Sequence, residues 1–217
     1  MAFTLCELTN DIRNLDVQMI YNKYILSDDN WYFENVLSVS SGRISEIATE
    51  FNSIISNGFN IDQAHIRMVG SGKIGYSLTP PSDKPELASK CFKPFCVDGK
   101  GRKTSDIDIV IISECLFEFF WGLLRKSYKF KYNALYEYIP TAVYRGYINE
   151  NHLQKIDGCR KDWNAISITS KKELHSNLFV QHDINYRLYR KWDDFEDYHL
   201  QGLRKIKRGV CDGSIIS

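Results

Sequence analysis

Two aspartates at the start of an apolar run are the residues of this chain whose type and spacing most directly suggest chemistry. The run reads Ser105-Asp106-Ile107-Asp108-Ile109-Val110-Ile111-Ile112, a composition typical of a β-strand. Because side chains alternate between the faces of a strand, Asp106 and Asp108 face the same way, about 7 Å apart. Two such carboxylates repel each other unless a cation neutralises them, and oxygen ligands suit Mg²⁺ or Mn²⁺. We therefore predict that this pair binds a divalent cation.

A glycine-rich turn earlier in the chain is the second candidate. Residues 65–69 are typical of a short strand, and Gly70-Ser71-Gly72-Lys73 follows it. Glycine lets a ligand approach the backbone closely, and N–H groups at a helix start attract anions. The turn is not a P-loop, because Arg67 stands where that motif needs its first glycine. A dinucleotide-binding fingerprint is also disfavoured, since no ribose-binding acid follows. An ordinary glycine turn and a solvated aspartate pair remain the alternative interpretation.

Together, the two stretches resemble the DNA polymerase β-type nucleotidyltransferase superfamily. Its pattern is an apolar residue, Gly-Ser, a short helix and then Asp-x-Asp on the next strand, which Val69, Gly70-Ser71 and Asp106-Ile107-Asp108 match. The resemblance covers about residues 60 to 125. The segment between Ser77 and Asp106 is longer than the short link expected in the family.

The resemblance implies an α+β fold, a polymerase β-like mixed sheet with an N-terminal helical segment and a C-terminal helix. It also implies metal-dependent transfer of a nucleotidyl group from an NTP or dNTP to a hydroxyl, with release of pyrophosphate. Small prokaryotic stand-alone members of the family suggest a role in defence or in a toxin system. A catalytically impaired module that binds a nucleotide or nucleic acid with the same fold is the alternative.

Family members often carry a third carboxylate on a later strand, where it binds a second metal or takes a proton from the acceptor hydroxyl. Asp183 is the best-placed residue, because it opens the alternating segment Ile184 to Tyr189. Asn185 on the same face fits an incomplete site equally well. Asp157 is more typical of a turn.

Basic residues flank the aspartate strand on both sides. Lys100, Arg102 and Lys103 precede it and either contact a triphosphate or acceptor backbone, or form a solvated turn. The resulting candidate nucleotide-binding residues are Gly70, Ser71, Gly72, Lys73 and Lys103. After the strand, four cations alternate with three aromatic residues: Arg125, Lys126, Lys129 and Lys131 with Tyr128, Phe130 and Tyr132. That alternation suits a nucleic-acid or oligonucleotide acceptor, or simply an amphipathic strand.

Composition limits the class of protein. The 217 residues carry a net charge of +1, so no bulk basic excess indicates nucleic-acid binding. No apolar run approaches the roughly 18 residues that cross a membrane, and no signal peptide is recognisable, so we expect a cytoplasmic protein without membrane contact. The six cysteines are expected to be free thiols, and Cys91 with Cys96 lacks a second ligand pair for zinc. A partner protein is possible, and an N-terminal helix could serve it.

Hydrophobic periodicity predicts the elements around the candidate site. Residues 1–60 are expected to form a helical segment, interrupted at Ser40-Ser41-Gly42 and ended by Asn57-Gly58, that packs on a nucleotidyltransferase domain of residues 61–217. We also predict a helix over residues 114–128, a short strand over 164–168, a strand over 184–189, and a last helix capped by Asp193 and ended by Gly209. In the helix over 114–128 the expected core residues are Leu116, Phe119, Phe120, Leu123 and Leu124.

Overall fold

A computed structural model describes residues 3–80, 91–98, 103–213 and 215 and has an α+β architecture with one four-stranded mixed sheet. The α-helices in these residues are α1 (Leu5–Asn14), α2 (Val17–Tyr21), α3 (Trp31–Asn35), α4 (Ile44–Phe59), α5 (Gly70–Ile74), α6 (Glu114–Lys126), α7 (Asn133–Tyr136), α8 (Ile139–Tyr144), α9 (Glu150–Lys155), α10 (Asp157–Leu178) and α11 (Trp192–Cys211). The strands are β1 (Ile66–Val69), β2 (Ile107–Ile112), β3 (Tyr147–Asn149) and β4 (Ile184–Tyr189).

The chain divides into two compact units that interleave along the sequence. The first unit comprises Met1–Ala48, Met68–Asp108 and Asp197–Ser217, and the second comprises Thr49–Arg67 and Ile109–Glu196. The division at residue 60 that the sequence suggested stays a prediction.

Short helices with side-chain caps build the first unit. Asp16 accepts a hydrogen bond from Met19 N–H at the start of α2, and Asn30 accepts one from Phe33 N–H at the start of α3. Such caps satisfy backbone donors that a helix leaves open at its N-terminus. At the other end of α1, the Lys207 ammonium donates to the carbonyls of Ile12, Arg13 and Leu15, at 2.7–3.0 Å. The C-terminal helix thereby supplies the C-cap of the first helix.

The strands of the sheet follow the order β1–β2–β4–β3. At one end of β1, His65 Nδ1 lies 3.1 Å from the carbonyl oxygen of Ile112, the last residue of β2. The start of β1 therefore lies beside the end of β2, as in antiparallel neighbours. Ser113 N–H donates to Tyr189 O at 2.9 Å, so β2 and β4 end side by side. β3 pairs antiparallel with β4, with Ile148 opposite Leu188.

A buried carboxylate organises the core of the second unit. Glu150, which is 4% exposed, accepts hydrogen bonds from the Trp163 indole (2.9 Å), the Lys171 ammonium (2.7 Å) and the Tyr186 backbone N–H (2.8 Å). A buried charge is tolerated only when it is paired and fully hydrogen-bonded, and Glu150 meets that condition. This glutamate thus joins α10 to β4 through polar contacts inside an otherwise apolar core.

Several local predictions are confirmed. The N-terminal region is helical, and the chain from Ser41 to Arg43 forms a separate 3₁₀ turn before α4. Asp106 precedes β2 directly, and the alternation along β2 is as expected, with Ile107 and Ile109 buried and Asp108 half-buried. All six cysteines are free thiols. Among the described residues, no helix has both the length and the apolar character needed to cross a bilayer.

Three predicted helix ends are wrong. α4 continues past Gly58 to Phe59 and ends with Asn60 in the left-handed region (φ 52°). Gly58 is instead needed for packing, because a Cβ there would lie 3.1 Å from the Ser170 Cβ. α11 begins before Asp193 and runs past Gly209 to Cys211.

The predicted strand over residues 164–168 and part of the predicted face of α6 are also wrong. Residues 164–168 belong to α10, whose buried positions include Trp163, Ser167, Ser170 and Leu174 at helical spacing. Because Ser167 and Ser170 are polar, the buried face of α10 lacks the apolar repeat by which a helix is recognised in a sequence. In α6 the core side chains are Phe117, Phe120 and Leu124, whereas Phe119 is 52% exposed.

We expect Glu150→Ala to lower the free energy of unfolding by about 3–5 kcal/mol, because it leaves a buried donor set without an acceptor. Glu150→Gln keeps an oxygen acceptor and should cost clearly less. Urea unfolding followed by tryptophan fluorescence measures both values. Equal costs for the two variants would contradict the role of Glu150 as a hydrogen-bond acceptor for these donors.

Candidate functional site

The Gly-Ser turn and the second aspartate meet in the first unit. Gly70 has φ +71°, and a Cβ built on it would lie 2.8 Å from Asp108 Oδ2 and 3.6 Å from the Asp108 Cβ. Both features require glycine, because other residues pay a steric cost at positive φ and a methyl group would collide with the carboxylate. The backbone of Gly70 therefore lies directly against the Asp108 side chain.

The short helix after the turn is held by an aromatic contact. α5 ends at Gly75 (φ +90°), where a Cβ would lie 2.7 Å from Trp31 Cδ1. The Trp31 ring also packs on Phe95, with ring centroids 5.5 Å apart. A glycine is thus required at both ends of α5, at one end by Asp108 and at the other by an indole.

The long segment between the turn and the aspartates is closed by backbone pairing. Ser77 N–H donates to Lys93 O (2.9 Å), Phe92 N–H donates to Ser77 O (2.8 Å), and Phe95 N–H donates to Gly75 O (2.8 Å). Farther along, Ser105 N–H donates to Cys96 O (3.0 Å), and Cys96 N–H donates to Ser105 Oγ (2.9 Å). These hydrogen bonds bring the ends of the inserted segments together. The extra length therefore does not separate the Gly-Ser turn from the two aspartates.

The groups at this site reach solvent. Gly70, Ser71, Asp106 and Asp108 are all half-buried, whereas the four residues from Gly72 to Gly75 are buried. Within the described part of the chain, the Ser71 hydroxyl makes no hydrogen bond, so it is available to a ligand. The arrangement offers one hydroxyl donor and two carboxylates on a surface that a phosphate could reach.

The donor set fits a magnesium ion that is shared with a phosphorylated substrate. Among the described residues, no group of three or more His, Cys, Asp or Glu side chains is arranged to hold a metal. Mg²⁺, however, usually binds one or two carboxylates together with substrate phosphates and water rather than an all-protein cage. Asp106 and Asp108 are the residues that would supply the oxygen ligands of such a site.

Two of the predicted nucleotide-binding residues, Lys73 and Gly72, are buried in the structure. Lys73 is 5% exposed, and its ammonium donates to Asp29 O (2.9 Å) and to Ser27 O. Its charge is used to hold the turn before α3, so we leave Lys73 out of the site. Gly72 is also buried. A Cβ built on it would lie 3.9 Å from the Ile107 Cα, so this residue contributes to packing.

The basic segment before β2 lies only partly within the described residues. Lys103 is exposed, three positions before Asp106, and stays a candidate for phosphate contact. Lys100 and Arg102 lie outside the described residues. Burial raises the pKa of the Cys91 thiol to about 11, so without a metal this thiol is protonated at neutral pH.

The remaining candidates belong to the second unit. Asp183 is exposed and directly precedes β4, where Ile184, Tyr186 and Leu188 are buried as the alternation predicts. Its role as a third carboxylate stays a prediction from the resemblance. Lys131 forms an ion pair with Asp157 (2.8 Å), and Tyr132 is buried with its hydroxyl 2.6 Å from the same carboxylate. The segment from Phe130 to Tyr132 is a 3₁₀ turn, not a strand.

Sequence reasoning missed the residues that position the turn. Trp31 and Phe95 are far from the motif in the chain, and their aromatic character indicated only core packing. The need for glycine at position 75 and the position of Trp31, directly after the Asn30 cap, are explained only by the contact between these two residues.

Comparisons with protein-family models, with curated proteins and with solved structures find no match for this chain. The assignment therefore depends on the geometry of the site.

We expect Gly70→Ala to lower the free energy of unfolding by about 1–3 kcal/mol, because alanine is strained at φ +71° and its methyl group meets Asp108. Gly42→Ala is the matched control, since nothing lies within 4 Å of its built Cβ and its φ is not positive. A double-mutant cycle with Asp108→Ala should recover part of the Gly70→Ala cost. Full additivity in urea unfolding would show that the two residues are not in contact.

Lys73→Met should cost about 1–3 kcal/mol of stability, because the carbonyls of Ser27 and Asp29 lose their donor. Lys103→Met, at an exposed position, should change stability by less than about 0.5 kcal/mol. Urea unfolding measures stability, and calorimetry measures nucleotide affinity per folded molecule. If Lys73→Met kept its stability and lost nucleotide affinity, the phosphate contact predicted from the sequence would be restored.

Proposed function

We propose that this chain is a divalent-cation-dependent nucleotidyltransferase that moves a nucleotidyl group from an NTP or dNTP to a hydroxyl acceptor. The single observation that carries the proposal is the contact between Gly70 and Asp108. It joins a Gly-Ser turn to the Asp-x-Asp strand within one unit, in spite of the long segment between them.

The turn is suited to hold the triphosphate. Ser71 offers a half-buried hydroxyl, and Gly70 has no side chain to block access to the backbone. A phosphate bound at Ser71 would lie close to the carboxylate of Asp108, because Gly70 adjoins both. That proximity would be repulsive without a cation, so nucleotide and cation are expected to bind together.

Asp106 and Asp108 would hold Mg²⁺ or Mn²⁺, and when bound the cation supplies positive charge that offsets the charge of the triphosphate. The acceptor hydroxyl attacks the α-phosphorus, a new O–P bond forms, and the bond to the bridging oxygen of the β-phosphate breaks. Pyrophosphate leaves, and the hydroxyl proton passes to water, which reaches both half-buried aspartates. The chain contributes mainly position and electrostatics, as in other phosphoryl-group chemistry.

The test is incubation with each α-labelled NTP and dNTP, with RNA, DNA, protein or no added acceptor, in Mg²⁺, in Mn²⁺ or with a chelator. We expect incorporation and pyrophosphate release only with a divalent cation. Asp106→Asn and Asp108→Asn should each lower the rate by about a hundredfold or more, because each removes an oxygen ligand and a negative charge.

Asp197→Asn is the matched control for these variants. Asp197 is an exposed aspartate of α11 in the same unit, so its loss should leave the rate unchanged. Asp183→Asn tests the third carboxylate and should behave like the two β2 variants if the resemblance holds. Parental rates for Asp106→Asn or Asp108→Asn would contradict the proposal.

Nucleotide affinity separates the two classes of function that the site supports. An enzyme binds the cation–nucleotide complex and turns it over. A chain that binds this complex, loses affinity on Gly70→Ala, and transfers nothing to any acceptor would instead be a nucleotide-binding module. A chain that binds no nucleotide at all would contradict both.

A further inference from the structure

The second unit carries an exposed group of cations and rings that the proposed reaction does not use. Phe130 is 86% exposed and Tyr128 is 51% exposed. Arg125, Lys126 and Lys129 are also exposed, and within the described residues none of the three is in an ion pair. We call these five residues the basic–aromatic surface.

Neighbouring contacts fix the two rings in place. Lys131 and Tyr132, directly after Phe130, both bond the Asp157 carboxylate at the start of α10, at 2.8 and 2.6 Å. The 3₁₀ turn is therefore anchored on one side, and Phe130 points to solvent from a fixed backbone. On the other side, the Tyr128 ring meets the Tyr136 ring edge-to-face, with centroids 5.0 Å apart.

The backbone spaces the rings along one line. Lys129 lies between them in an extended conformation (φ −141°, ψ 150°). Residues on either side of an extended residue have Cα atoms about 7 Å apart, which is about two base steps of ~3.4 Å. Because Tyr136 also donates a hydrogen bond to Leu124 O, this arrangement is tied to the end of α6, where Arg125 and Lys126 lie.

We propose that the basic–aromatic surface binds single-stranded nucleic acid. Exposed rings offer stacking faces for unpaired bases, and the interleaved cations contact phosphates. The unpaired positive charge favours a polyanion over an apolar protein partner, and a duplex would hide its base faces from Tyr128 and Phe130. The proposal goes beyond the proposed reaction and does not depend on turnover at Asp106 and Asp108.

The test is a binding titration by fluorescence anisotropy with labelled oligouridine and oligothymidine of about 12 nucleotides. It is done without nucleotide and without divalent cation, so that the candidate transferase site plays no part. A duplex of the same length and anionic phospholipid vesicles are the competing probes. We expect binding of both single strands, weaker binding of the duplex, and no preference for vesicles.

Two kinds of variant should have separable effects. Phe130→Ala should weaken binding at least about fivefold and leave its salt dependence unchanged, because it removes stacking alone. If Arg125, Lys126 and Lys129 each contact one phosphate, the logarithm of the association constant should fall with the logarithm of the salt concentration at a slope of about −2. The double variant Lys126→Gln with Lys129→Gln should bring that slope to about −0.7. The double variant should also lower affinity by about tenfold or more at low salt.

Matched controls lie at the other end of α10. Phe179 is 73% exposed and directly follows the 22-residue helix, about 33 Å from its start beside Phe130. Lys172 is an exposed cation near the same end. Phe179→Ala and Lys172→Gln should leave both affinity and slope unchanged, and Asp106→Asn should do the same.

Four results would overturn the proposal. They are no binding to either oligonucleotide at low salt, equal loss on Phe130→Ala and Phe179→Ala, a slope that the double lysine variant does not change, and preferential binding to vesicles. Since Phe130 is almost fully exposed, its substitution is not expected to unfold the chain, and circular dichroism checks this. Absence of nucleotide transfer by the parental chain, with its oligonucleotide binding intact, would contradict the proposed function only.

Discussion

The contact between Gly70 and the carboxylate of Asp108 is the constraint on which the candidate site depends. It requires a backbone at φ +71° and the absence of a side chain, and only glycine meets both conditions without strain. It also requires β1 to end where β2 begins, which the antiparallel order of these strands provides. A change in either strand would separate the hydroxyl of Ser71 from the two carboxylates.

Other residues of the first unit hold α5 in place. Lys73 projects from α5 into the interior and binds the carbonyls before α3, and Trp31 of α3 covers Gly75. A buried ammonium is costly unless carbonyls satisfy it, so the turn and the helix position each other. The motif residues Gly72 and Lys73 face inward and thus have a structural part, whereas Ser71, Asp106 and Asp108 are half-buried and reach solvent.

The second unit uses buried and exposed polar groups in different ways. Glu150 satisfies donors in the core, where an unpaired group would be expensive. Asp157, in contrast, is exposed and binds Lys131 and Tyr132 of the turn that presents Phe130. Both acids lie within eight residues of one another in the sequence, and nothing in their local context distinguishes them. Their roles follow from what surrounds them in space.

The sequence by itself determined the alternation of β2 and β4, because that alternation depends on near neighbours along the chain. The pairing of Gly70-Ser71 with Asp106 and Asp108, 35 to 38 residues away, was instead an expectation from the resemblance. The sequence failed where a distant partner decides. α4 continues through Gly58, where a Cβ would lie 3.1 Å from the Ser170 Cβ, and the serine-containing face of α10 is buried despite its polarity. Lys73 is interior because carbonyls 44 and 46 residues away accept its hydrogen bonds. Only the tertiary structure could decide these points, since a side chain's role depends on contacts that sequence spacing does not contain.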